Sequence, residues 1–228
     1  MLSPLQEQVA HIVVGLAESD DFALAGGAAL IVRGEVDRRT RDLDFFGPSA
    51  AAVDRLVPAA EQALISDGLR VERVIDHPGF ARLLVSDGND QTELDLGSDA
   101  RLFPVEERLG LRVLSGEELA VDKLLALFGR AEARDFVDLL AVAGRYGLGQ
   151  LLDLAAEKDR GFDARVFAEM LNKVDRLPRA AFALDEARFN ELQVAVSTWK
   201  ERALDYAREQ ERIRGFRRDR GPDLGFGR

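Results

Sequence analysis

The sequence predicts an α+β protein, with a mixed α/β half over residues 1–112 and an all-helical half over 113–228. Two observations predict this. Three strand candidates, LRVERVI, FARLLVS and TELDLG, follow one another between residues 69 and 97, separated by the turn signals HPG and DGND. After Arg112 the texture changes, and four long stretches carry helical patterning with no strand signal between them. At 228 residues and 46% hydrophobic content, the chain has ample material for a core.

Taken in order, residues 5–18 place Val9, Ile12, Val13 and Leu16 at the spacing of an amphipathic helix. Phe22 to Ala25 is a short apolar piece that runs into Gly26-Gly27, and AALIVRG then reads as a brief helix. The basic loop RRTR, Arg38 to Arg41, leads into the strand candidate DLDFF. Residues 50–66 are helix-patterned despite Pro58, and the three strands follow. In the second half, Ser115 and Glu118 fit an N-terminal capping box. SGEELAVDKLLALFGR, EARDFVDLLAVAGRYG, ARVFAEMLNKV and DEARFNELQVAVSTWKERALDYAREQ are the helix candidates.

Composition removes several chemistries. There is no cysteine, so disulfides, thiolate metal sites and cysteine nucleophiles are excluded, and a reducing compartment suits the chain. With His11 and His77 the only histidines, a histidine zinc centre or a Ser-His-Asp triad is not expected. The first residues lack the features of a signal peptide, and no apolar run reaches bilayer length, so a cytoplasmic protein without membrane contact is expected. The net charge of −10 is an unfavourable field for nucleic acid. Residues 208–228 depart from it: seven arginines against four acids make a basic tail.

Asp42 and Asp44 carry the sharpest chemical signal. Alternate residues of a strand face the same way, so both carboxylates project together while Leu43 faces the other side. Adjacent like charges favour a cation between them, and two carboxylates plus phosphate oxygens are the usual protein share of an Mg²⁺ site in nucleotidyl transfer. An exposed acidic pair with no ligand is the alternative. Gly26-Gly27 would let backbone approach a ligand closely, and Arg38, Arg39 and Arg41 lie where they could meet a triphosphate. Asp95 between two leucines is either a third carboxylate, if its strand pairs near DLDFF, or a solvated acid on an edge strand. Lys123 interrupts a stripe between Leu119 and Leu127, as a snorkelling side chain or as a phosphate contact. Arg134, Asp135 and Asp138 share a helix and could form a salt-bridge cluster.

LAGGAALIVRG, RRTRDLDFF, ELDL, EELAVDKLLAL and ARDFVDLL resemble, in that order, the AbiEii/AbiGii (MenT-like) nucleotidyltransferase toxins, over residues 22 to 142. The resemblance implies a DNA polymerase β-like nucleotidyltransferase core with a mixed sheet and flanking helices, followed by a helical domain. It implies an NTP- and Mg²⁺-dependent enzyme that moves NMP to a nucleic-acid hydroxyl, with the 3′ end of tRNA as acceptor and a cognate antitoxin as partner. By position, Asp42 and Asp44 would be metal ligands and Asp95 the third carboxylate. Thr40, Arg41, Gly26 and Gly27 would line the nucleotide site, and Lys123 would contact the nucleotide. Asp138 would be the remaining catalytic acid, ahead of Asp135. One position departs from the family pattern: Ala28 stands where Ser or Thr commonly follows the glycines. Two other readings stay open at this level. One keeps the chemistry with a small-molecule or protein hydroxyl as acceptor; the other is a binding module that has lost turnover.

Overall fold

A computed structural model describes residues 1–219, with side chains through residue 213. It divides into two compact units, Met1–Lys123 and Leu124–Arg228. The division falls inside one helix, eleven residues beyond the change of texture at residue 112.

In the first unit, the described residues form a seven-stranded mixed sheet of order β3-β4-β5-β2-β1-β7-β6. The strands are β1 (Ala23–Ala25), β2 (Asp42–Gly47), β3 (Arg70–His77), β4 (Phe80–Ser86), β5 (Gln91–Ser98), β6 (Glu106–Arg108) and β7 (Leu111–Val113). The helices α1 (Pro4–Val14), α2 (Gly26–Val32) and α3 (Ala50–Ser66) accompany them, and α4 (Gly116–Gly129) crosses from one unit to the other in sequence. β3, β4 and β5, the three strand candidates of the sequence, form an antiparallel run. β5 then lies parallel to β2, β2 antiparallel to β1, and β1 parallel to β7.

Alternation along the strands gives the sheet two chemically distinct faces. Leu43 of β2, Leu94 of β5 and Leu83 of β4 stand in register, as do Phe45, Leu96 and Ala81, and all six are buried. α3 packs on these strands through Val53, Leu56, Val57, Ala60 and Leu64. Ser49 caps it by accepting a bond from the Ala52 N–H. The helix continues through Pro58 without the hydrogen bond that residue cannot donate.

α1 stops at Val14, short of the 5–18 span that its apolar spacing suggests. Gly15 caps it, and a 3₁₀ turn, Ala17–Ser19, follows. Arg112 of β7 ties this corner down by donating to the Val14, Ser19 and Phe22 carbonyls. The hairpin β6–β7 carries no run long enough to be read as strand from sequence. Glu118 donates its N–H to Ser115 Oγ, as the capping motif suggests. Its buried carboxylate also accepts the Leu102 and Phe103 N–H groups, anchoring the segment that follows β5.

The second unit is helical: α5 (Ala133–Ala143), α6 (Leu148–Lys158), α7 (Ala164–Met170) and α8 (Glu186–Asp219), with 3₁₀ turns at Leu171–Asp175 and Arg179–Phe182. α6 is the helix the sequence patterning did not single out. Its buried Leu151, Leu152 and Ala155 recur at helical spacing, but Gly147 and Gly149 obscure its start. α6 and α7 pack against α8, and Phe128, Phe162 and Phe167 form a linked aromatic group. No helix among the described residues is long and apolar enough to cross a membrane.

Candidate active site

The face of the sheet opposite α3 is polar where β4, β5 and β2 run together. Strand register puts Arg82 beside Asp95, Asp95 beside Asp44, and Asp44 beside Ala25. One residue pair along, Asp42 stands beside Glu93. Residues aligned in adjacent strands project to the same face, so Asp42, Asp44, Glu93 and Asp95 form one acidic surface. The alternative of a solvated edge-strand acid for Asp95 does not hold: β5 is an interior strand, and Asp95 is only 5% exposed.

The chain turns from β1 into α2 directly beside Asp44. Gly26 has φ +59, and a Cβ there would lie 1.9 Å from Asp44 Oδ2. Glycine is therefore required twice at this point, by the left-handed backbone and by the approach of the carboxylate. Gly27 follows under a different roof. A Cβ on it would come within 2.6 Å of the Arg38 guanidinium and 3.3 Å of Thr40 Oγ1. The glycine pair opens α2 rather than preceding it.

Thr40 links the two parts by donating a 2.5 Å hydrogen bond to Asp42 Oδ1. Of the three arginines in the basic loop, Arg38 is the one folded over the glycine turn, and it also donates to the Arg39 carbonyl. Arg39 and Arg41 are exposed. The Arg41 carbonyl is held by the Glu93 N–H and the Thr92 hydroxyl. Gln6, buried on α1, donates to the Thr40 carbonyl and to Thr92 Oγ1. Thus the loop that delivers β2 is pinned from α1 and β5. Sequence reasoning missed Gln6, although Ser3 and Gln6 form a capping box whose S-x-x-Q spacing is legible.

Arg82 and Glu93 were also missed. Arg82 donates from Nε and Nη2 to the two Asp95 oxygens, both at 2.7 Å, and its Nη1 lies 2.9 Å from Glu93 Oε2. Its pKa is raised, first by the Asp95 hydrogen bonds and then by the charges of Asp95, Glu93 and Asp42, so it is a fixed cation. The signal available in the sequence was the alternation of FARLLVS, in which Arg82 falls on the face opposite Ala81 and Leu83.

Among the described residues, no group of three or more acidic or histidine side chains is arranged to hold a metal ion. Asp42 and Asp44, alternate residues on one face of β2, could hold an ion together with oxygens of a ligand. That composition suits Mg²⁺, which takes one or two carboxylates and retains other oxygen ligands.

Lys123 lies on α4 and is 5% exposed, with Leu119 and Leu127 buried on either side. Asp135 and Asp138 are fully buried on α5. Arg130 clasps both oxygens of Asp135 at 2.9 Å, and Asp135 accepts the Glu132 N–H in a capping box at the start of the helix. Ala28 is also fully buried. In the tail, Arg208 pairs with Asp205 and Arg212 with Glu209. The side chains of Arg214, Arg217 and Arg218, and residues 220–228 of the basic tail, lie outside the described residues.

Comparisons with known proteins bear on the fold and the family. JHP933 from Helicobacter pylori superposes with a TM-score of 0.56 at 20% identity, covering 96% of this chain and all of that one. A putative nucleotidyltransferase from H. pylori gives 0.54 at 20% identity, over 91% and 95% of the two chains. The nucleotidyltransferase toxin MenT4 from Mycobacterium tuberculosis H37Rv gives 0.50 at 19%, over 89% and 81%. At these identities the likeness is one of fold. No curated protein matches the sequence. The family model for the nucleotidyl transferase AbiEii toxin of type IV toxin–antitoxin systems matches residues 13–225. With nearly the whole chain covered, this protein belongs to the AbiEii family of nucleotidyltransferase toxins.

Proposed function

We propose that the protein transfers a nucleoside monophosphate from an NTP to an RNA hydroxyl, with the 3′ end of tRNA as acceptor, using Mg²⁺ held by Asp42 and Asp44. The observation that carries this reading is the placement of those two carboxylates on one face of β2, with the Gly26 backbone against one and the Thr40 hydroxyl on the other. When bound, Mg²⁺ would neutralise phosphate oxygens and polarise the α-phosphate.

The chain's own residues supply position and charge. Thr40 fixes the rotamer of Asp42, and Gly26 leaves room for Asp44 at the turn. Gly27, with no side chain, lets a phosphate approach the backbone beneath Arg38, whose guanidinium meets its charge. Arg41 contributes a second cation at the rim, and Lys123 a nucleotide contact. Asp95, aligned with Asp44, completes the acidic face; Asp138 keeps its assignment as the remaining catalytic acid from its position in the sequence. The acceptor hydroxyl attacks the α-phosphorus, a new P–O bond forms, and the bond to the β-phosphate oxygen breaks. Pyrophosphate leaves, and the hydroxyl proton passes to solvent or an acidic-face carboxylate.

The test incubates the protein with Mg²⁺, each labelled NTP and total tRNA, beside Asp42→Ala, Lys123→Ala and Asp138→Asn. Label entering tRNA only with the native protein supports the reading. The net charge of −10 favours a second one, in which a small cationic compound or a protein side chain is the acceptor. Label in the protein, or in a small product without tRNA, would select it. No incorporation with any NTP would refute both acceptors and the assignment of Asp42. A cognate antitoxin, implied by the family, would be sought by its neutralisation of the effect in cells.

A further inference from the structure

The acidic face contains a cation of its own. Four carboxylates, Asp42, Asp44, Glu93 and Asp95, share one side of β2 and β5, and Arg82 on β4 sits among them. Its fork engages both oxygens of Asp95 at 2.7 Å and reaches Glu93 at 2.9 Å. The Asp95 side chain is 7% exposed, so water does not compete effectively for it, whereas Glu93 is 41% exposed. A bidentate guanidinium–carboxylate pair at this depth is directional, and opening it would leave a buried charge uncompensated.

We propose that Arg82 is a positioning residue that withholds Asp95 from metal coordination, so that the nucleotide-free protein takes one divalent cation, at Asp42 and Asp44, rather than an ion shared by three carboxylates. The inference rests on the ion site proposed above and adds to it. Arg82 occupies the electrostatic position that a second cation would otherwise fill. Asp95 therefore acts as the anchor that fixes Arg82, and through Arg82 the net charge of the face is held at −3 rather than −4, counting the four carboxylates and one guanidinium. The side chain itself has no role in covalent chemistry.

The experiment measures Mn²⁺ binding to the purified full chain without nucleotide, by electron paramagnetic resonance of free Mn²⁺. The native protein is expected to bind one ion, and Asp42→Asn to lose it. Asp95→Asn removes one negative charge from the face, so it is expected to weaken binding by no more than about tenfold and to keep the one ion, because Asp95 is not a ligand. Arg82→Gln adds a full unit of negative charge next to the site and frees a carboxylate, so Mn²⁺ is expected to bind about tenfold tighter or with a second ion. That gain should vanish in Arg82→Gln/Asp95→Asn and be absent in Arg82→Lys, which keeps the charge.

A merely structural Arg82 would change thermal stability without tightening Mn²⁺ binding. The proposal is overturned if Asp95→Asn abolishes Mn²⁺ binding in the native background as Asp42→Asn does, an arm that does not depend on any Arg82 variant folding. It is equally overturned if folded Arg82→Gln binds no more tightly than the native protein. Failure of the native protein itself to bind Mn²⁺ would sink the Asp42–Asp44 ion site, and this inference with it.

Discussion

Replacing Gly26 by alanine tests the geometry on which the site depends. The added methyl would lie 1.9 Å from Asp44 Oδ2, 2.7 Å from its Cγ and 3.3 Å from its Cβ. Carbon atoms do not approach oxygen closer than about 3 Å, so the carboxylate must move by at least about 1 Å. Asp44 cannot carry its strand along, because β2 is paired on both edges, to β1 and to β5. The displacement must come from rotation of the side chain out of the shared face. Misplacement on that scale costs about 100-fold in a reaction that depends on alignment. The left-handed φ of +59 adds about 1 kcal/mol of strain. With the contact, a loss of about 1–3 kcal/mol in stability is expected, or a Tm lowered by several degrees. Incorporation of labelled NMP and thermal melting would be measured together. Gly68→Ala is the control for strain alone, since Gly68 has φ +87 and nothing within 4 Å of the position its Cβ would take. It should lower Tm and leave the rate unchanged. A Gly26→Ala protein with native incorporation would refute the assignment of Asp44.

Gly27→Ala is expected to behave differently, because its methyl meets the end of a flexible arginine. Arg38 can swing aside, so Tm should barely move while the KM for NTP rises several-fold; an unchanged KM would remove Arg38 and Gly27 from the phosphate site. Asp135→Ala should destabilise the second unit by about 2–3 kcal/mol in urea unfolding, through loss of the Arg130 pair and the helix cap. A loss of turnover with no loss of stability would make Asp135 catalytic instead. Glu106 has its pKa lowered by hydrogen bonds from Arg33 and then Arg108. Its contribution is therefore present above the ordinary glutamate range and lost as pH falls through the depressed folded value. Amide exchange in β6 and β7 should accelerate on acidification, and Glu106→Gln should abolish that dependence.

Much of this architecture was legible locally. The alternation in DLDFF, FARLLVS and TELDLG specifies which side of each strand is apolar, because a strand repeats every two residues whatever its neighbours are. It follows that Asp42 and Asp44 share a face. The glycine pair and the helical texture of the second half are local signals of the same kind. Strand order is not local. The parallel pairing of β2 with β5, which sets Asp95 beside Asp44, joins segments some fifty residues apart and depends on how the helix-covered face closes. The clasp of Arg82 on Asp95 and the folding of Arg38 over Gly27 likewise arise only once strands and loop are assembled. The identity of each residue was written in the sequence, but its partner was chosen by packing. Short-range periodicity determines direction, and tertiary register determines which charges meet.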